Sequence, residues 1–164
     1  MGMQTDVRSI HVSSASSATI SGRTRLKGAV ISNTQSGTPA NIMFANAVTI
    51  AGTFNIPGTT TCTVTVAGGH GLVTGDRVWL DFTSGAGTTD NIYTVTVTAA
   101  TTFTVTTASL TTSGNVSIYA QVLMEVDITN SVPVCVTIPG EGIVARDGIF
   151  VGTPQYIAAT VFYG

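Results

Sequence analysis

Valine, isoleucine or phenylalanine alternates with threonine at Thr61–Val66, Tyr93–Thr98 and Thr102–Thr107. A period of two puts one apolar and one hydroxylated face on an extended chain, which is the pattern of half-buried β-strands. The same residue types predict strands at Val7–Val12, Arg25–Ser32, Asn41–Phe44, Arg77–Phe82, Val116–Ala120, Gln121–Asp127, Pro133–Ile138, Gly148–Val151 and Tyr156–Tyr163. Turn formers separate them: Ser36-Gly37, Pro57-Gly58, Gly68-Gly69, Ser84-Gly85, Ser113-Gly114, Pro139-Gly140 and Asp147-Gly148. No stretch has a helical period. The chain therefore reads as all-β, a β-sandwich or jelly-roll-like host carrying an inserted small β-barrel or β-sandwich. Thr53 to Gly114 is dense in threonine. The expected division is a discontinuous host of residues 1–52 and 115–164 and an insert of residues 53–114.

The 164 residues are 9% charged, against about 25% in an ordinary soluble domain. No Asp, Glu, Lys or Arg stands between Lys27 and Asp76, between Asp90 and Glu125, or after Asp147. With 43% hydrophobic residues the chain is unlike disordered sequences. No apolar run is long enough for a membrane helix, and no signal peptide or membrane partner is expected. A net charge of −2 gives no general attraction to nucleic acid. Cys62 and Cys135 are too few for a disulfide framework and read as small buried residues.

Low charge also bears on association. Monomers protect sheet edges with lysine, bulges or covers, and this chain has one lysine, Lys27. Thr-Val strands without such charges stick to one another when left open. A homo-oligomer is expected, cyclic because closed symmetry terminates association, and a trimer or larger.

Arg23, Arg25 and Lys27 recur at every second residue and hold half of the positive charge. On a strand they share one face, with Thr24, Leu26 and Gly28 on the other. Glu125 and Asp127 show the same spacing with the opposite sign. The stripes read as solvated strand faces, as an ion-pair seam within or between subunits, or as a site for nucleic acid or sugar phosphate. The seam makes these five residues the expected subunit or partner interface. Trp79, the only tryptophan, shares a strand face with Arg77 and Asp81. It either packs under a loop or serves as a contact surface. His70, in Gly68-Gly69-His70-Gly71, reads as a turn residue bonding the backbone, because His11 is distant in sequence. Asp76, Asp81 and Asp90 match no cation-loop spacing. No metal, cofactor or catalytic residue is expected: there is no nucleophile elbow, His-Glu-x-x-His pair or phosphate-cradling loop.

The strings IPGEGIVARDGIFV (residues 138–151) and TVFYG (160–164), with SGRTRLKGAVISN (21–33) ahead of an IMF strand, resemble small virion structural proteins of tailed, marine bacteriophages. GHGL-x-TGD-x-V and the YTVT and TFTV pair resemble a β module of phage tail and structural proteins. The resemblance implies a non-enzymatic virion component, assembled in the host cytoplasm and bound to other virion proteins. It would be a capsid decoration protein or a tail accessory protein. That family carries no established catalytic residues to transfer. The alternative is a receptor- or glycan-binding module using Trp79 and the loop Ser84–Asn91. The IPGEG and RDG turns are expected to make the C-terminal segment a hairpin.

Overall fold

The computed structural model describes residues 6–35, 39–129 and 132–164; the turn expected at Ser36-Gly37 lies outside them. Among the described residues there are strands and no helix. In chain order they are β1 (Arg8–Val12), β2 (Ser16–Ser21), β3 (Thr24–Asn33), β4 (Ala40–Asn46), β5 (Ile50–Thr65), β6 (Arg77–Phe82), β7 (Asn91–Thr94), β8 (Thr96–Ala99), β9 (Thr102–Tyr119), β10 (Val122–Ile128), β11 (Val134–Thr137), β12 (Ile143–Ala145), β13 (Gly148–Thr153) and β14 (Ile157–Tyr163). They form two compact units, Met1–Ala47 with Leu123–Gly164, and Val48–Val122. The second unit starts before Thr53 and ends after Gly114, because Ile50–Gly52 pairs with Val116–Ile118. Strand pairing, rather than threonine content, sets its limits.

The first unit has two sheets. The first runs β1-β14-β3-β11, with β12 also on β3; the second runs β10-β4-β13-β2. One core fills the unit, drawn from both sheets: Leu26, Ala29 and Ile31 of β3, Val161 of β14, Phe44 of β4 and Val151 of β13 are all within 0% exposure. Burying each of these side chains except the small Ala29 stabilises by about 1.5–3 kcal/mol, before the entropy of ordering the chain is counted.

A β-bulge interrupts β3. Phe162 of β14 faces Gly28 and Tyr163 faces Leu26, so Lys27 has no partner on β14. The extra residue reverses the alternation. Leu26 points into the core before the bulge, and Ala29 and Ile31 do so after it.

The C-terminal segment is not a hairpin. β11 and β12 both pair with β3, at Gly28–Ile31 and Thr24–Leu26 respectively, and not with each other. They are one edge strand interrupted by the loop Ile138–Gly142. The turn at Asp147-Gly148 then carries the chain from the first sheet, through β12, to the second, through β13.

The second unit is a small barrel. β6 pairs with β9, β7 with β6, and β8 with β9, while only Val95 separates β7 from β8. The pairings therefore run in a circuit, which leaves fewer edges open. Pro57-Gly58 and Ser113-Gly114, expected as turns, lie inside β5 and β9. Gly58 has φ +80° beside a register shift, so it kinks the strand. Gly114 admits the backbone of Ser84, whose carbonyl oxygen would lie 2.6 Å from any Cβ. Phe54, Ile56, Cys62, Val64, Leu80 and Phe103 fill the barrel.

Candidate functional site

The densest gathering of charge in the first unit surrounds the start of β3. Gly22, with φ +84°, turns the chain out of β2 and leaves Arg23 exposed just before β3 begins. Arg25 and Lys27 follow on the outward side, both half-buried. The loop between β11 and β12 approaches them. Its anchor is the Ile138 N–H, which donates to the Lys27 carbonyl at 3.0 Å. Gly142 has φ +82° and sits so close that a Cβ would collide with the Leu26 carbonyl oxygen. The loop presents Glu141, whose Oε2 lies 3.0 Å from Nη2 of Arg25. On the far side, Arg25 and Gly164 exchange backbone hydrogen bonds of 2.9 and 3.2 Å.

Two adjoining hollows of about 380 and 510 Å³ flank these residues and share Asp6, Arg23, Thr24 and Gly164. Arg25, Lys27 and Glu141 line the first; Arg8 and Tyr163 line the second. Four of the six cationic side chains thus meet two acids, Asp6 and Glu141. The Arg25–Glu141 pair is open to water, with the two side chains 36% and 79% exposed, so it stabilises by no more than about 1 kcal/mol. Local excess positive charge of this kind attracts anionic groups and steers partners.

The opposite stripe lies elsewhere. Glu125 and Asp127 are on β10, in the second sheet, whereas Arg25 and Lys27 are on β3, in the first. Strands in different sheets cannot form a cross-strand seam, so the expected pairing within one subunit is not made. Arg25 takes Glu141 instead, and Glu125 accepts a 3.0 Å hydrogen bond from Nδ2 of Asn41. Asp127 is exposed.

Trp79 is 2% exposed and provides no contact surface. Both faces of β6 are buried at this point: Val78 and Leu80 are buried in the barrel core, and Trp79 is buried on the other side. The glycan reading thereby loses its aromatic platform. Near the loop Ser84–Asn91, Phe54, Phe82 and Tyr93 stack edge to face, and the Tyr93 hydroxyl donates to the Thr89 carbonyl at 2.7 Å. The cavity beside them is small, about 30 Å³.

His70 bonds the backbone with both ring nitrogens. Nε2 lies 3.0 Å from the Ala99 carbonyl oxygen, and Nδ1 accepts from the Leu72 N–H at 3.0 Å. Asp76 accepts from the Val73 N–H at 2.9 Å, and Asp90 from the Phe82 N–H at 2.8 Å. These carboxylates close turns. Burial, with the neighbouring Asp90 charge, raises the Asp81 carboxyl above its ordinary range. Among the described residues, no group of three or more His, Cys, Asp or Glu is placed to hold a metal ion. No helix there is long and apolar enough to cross a membrane.

The cysteines differ. Cys62 is buried in the barrel, and burial pushes its thiol up to about 11. Cys135 is exposed, contrary to the expectation, because β11 is an edge strand and its residue 135 faces outward. Arg8, Asp6 and Glu141 were not anticipated as neighbours of the basic stripe; they are brought there by β1, the segment before it and the β11–β12 loop. The only sequence signal was the Pro-Gly-Glu-Gly string, whose glycines allow a protruding loop. No family model matches this chain, and no curated protein matches it significantly.

Proposed function

We propose that this chain is a non-enzymatic structural component of a tailed-phage particle, a capsid decoration or tail accessory protein. It acts by self-association and by binding other virion proteins. The carrying observation is the scarcity of charge on an all-β chain with open sheet edges: β1, β2, β10 and the β11–β12 pair each have one side without a described strand. Such edges are protected in monomers by charge or cover, and here neighbouring copies supply the cover. The likeness of the IPGEG, RDG and TVFYG strings to phage virion proteins supports the particle as the setting. The basic cluster around Arg25 supports a role for charge in setting the register between partners.

The test is the mass of the purified full chain by sedimentation over a wide dilution range, followed by imaging of particles that carry it. A concentration-dependent oligomer, and density for the chain on the particle, are expected. A monomer at every concentration with no affinity for any particle component overturns the proposal.

A further inference from the structure

The edge strand β11 differs from the other open edges of the first unit. Its inner side pairs with β3 from Val134↔Ile31 to Thr137↔Gly28, and no described strand pairs with its other side. Val132, Val134 and Val30 are exposed by 66%, 37% and 37%. Cys135 is exposed and faces Val30 across the pair. The row continues over the sheet through Thr160 and His11. Phe162 stands in the next row, half-buried and outside the set that packs on the core. No Asp, Glu, Lys or Arg lies between Asp127 and Glu141.

This neutrality selects the occupant. At a two-fold axis the same patch meets itself, so an edge that carries charge of one sign near the axis repels its copy. β1 carries Arg8, and β10 carries Glu125 and Asp127. β2 is uncharged, but its outward residues are mostly hydroxylic and none of its side chains is a large exposed hydrophobic. β11 alone among these edges joins an open backbone, exposed valines and the absence of charge. Pro133 precedes the strand and leaves the donors of Val134–Thr137 intact.

We infer that β11 of one copy pairs antiparallel with β11 of a second copy across a two-fold axis, joining the two first sheets into one. The inference rests on the self-association proposed above and names its contact, a two-fold one in place of the trimer or larger ring expected from the sequence. Val134, on the core side of the strand, and Val30, in the outward row with Cys135, flank the junction on its two faces, and the cation cluster at the start of β3 stays at its rim.

The test uses the purified full chain. A short bismaleimide should join two copies through Cys135, since Cys62 is buried. Cys135→Ser should abolish that product. Thr137→Lys, at an exposed position of the strand, should put one charge from each copy into the junction. It should cut the cross-linked fraction at least tenfold and shift sedimentation toward smaller species, with the circular dichroism of the folded chain unchanged. Val134→Lys is the second variant, should Thr137→Lys fail to fold. A chain that associates while cross-linking poorly through Cys135 and ignoring both lysines overturns the β11 contact and leaves self-association standing. A chain that sediments as a monomer at every concentration overturns both.

Discussion

Replacing His70 tests whether the Gly-His-Gly string is a structural device. The ring is 6% exposed, and its Nδ1 is the acceptor for the Leu72 N–H at 3.0 Å. His70→Ala leaves that part-buried donor unpaired, which costs about 1–3 kcal/mol. The Nε2 bond goes to the carbonyl of the exposed Ala99, where water can replace it at little loss. The ring also meets Phe103 edge to face, with centroids 5.3 Å apart, a contact worth about 0.5–1.5 kcal/mol. Because the donor is only part-buried, the lower half of the first range applies, and the sum is about 1.5–3.5 kcal/mol. His70→Asn separates the parts. Its side-chain oxygen can still accept from the N–H two residues on, as in an Asx-turn, but it has no ring. It should lose about 1 kcal/mol, the aromatic share. The assay is urea unfolding, with hydrogen exchange at the Leu72 amide as the local reading. His70→Ala should speed that exchange and His70→Asn should largely preserve its protection. Equal losses for the two variants, or an unchanged Leu72 amide in His70→Ala, would refute the assignment.

Gly142→Ala combines a φ of +82° with a Cβ driven against the Leu26 carbonyl, and should destabilise the first unit by about 2–4 kcal/mol in denaturant titration. Glu141→Gln removes only an exposed ion pair and should change stability by less than about 1 kcal/mol, while increasing retention on an anionic resin. Asp81→Asn should stabilise the barrel at neutral pH: the folded carboxyl is raised by burial and by Asp90, so its ionisation opposes folding as pH rises past the ordinary Asp range. Thermal melts against pH read this as a gain that vanishes in acid. Alkali should unfold the barrel progressively. The unfolded Cys62 thiol ionises near 9 and the folded one only at about 11, and Tyr93, also raised by burial, ionises at about 12. Stability is therefore full below pH 9 and falls above it, and Cys62→Ala should flatten the first part of that fall.

The strands of the second unit were legible because Val or Phe alternates with Thr where one face is buried, and others, such as β4 and β13, from runs of β-branched and aromatic residues. β2 was not, since Ser16-Ser17-Ala18-Thr19-Ile20-Ser21 holds one large apolar residue and gains its place from pairing with β13. β12 was not, because three residues carry no period. The joins that place the charged cluster depend on contacts distant in sequence. The bulge at Lys27 is defined by Phe162 and Tyr163, and the Arg25 partner arrives from a loop more than a hundred residues away. Local pattern also could not tell the buried Cys62 from the exposed Cys135. Both sit in Val-Thr strings, and only the rank of the strand within its sheet separates them. For Trp79 the pattern left packing and contact open, because alternation sets it with Arg77 and Asp81; both faces of β6 are dry at that point, and its burial selects packing.

The pairing of Ile50 with Ile118 has an architectural consequence. The 48–122 body starts and finishes at one spot, so it behaves as a cassette. Its donor chain needs only a pair of adjacent attachment points to accept it, and β4 and β10, which flank it, are hydrogen-bonded neighbours. A body joined this way interrupts the first unit at one place only and threads through none of its strands.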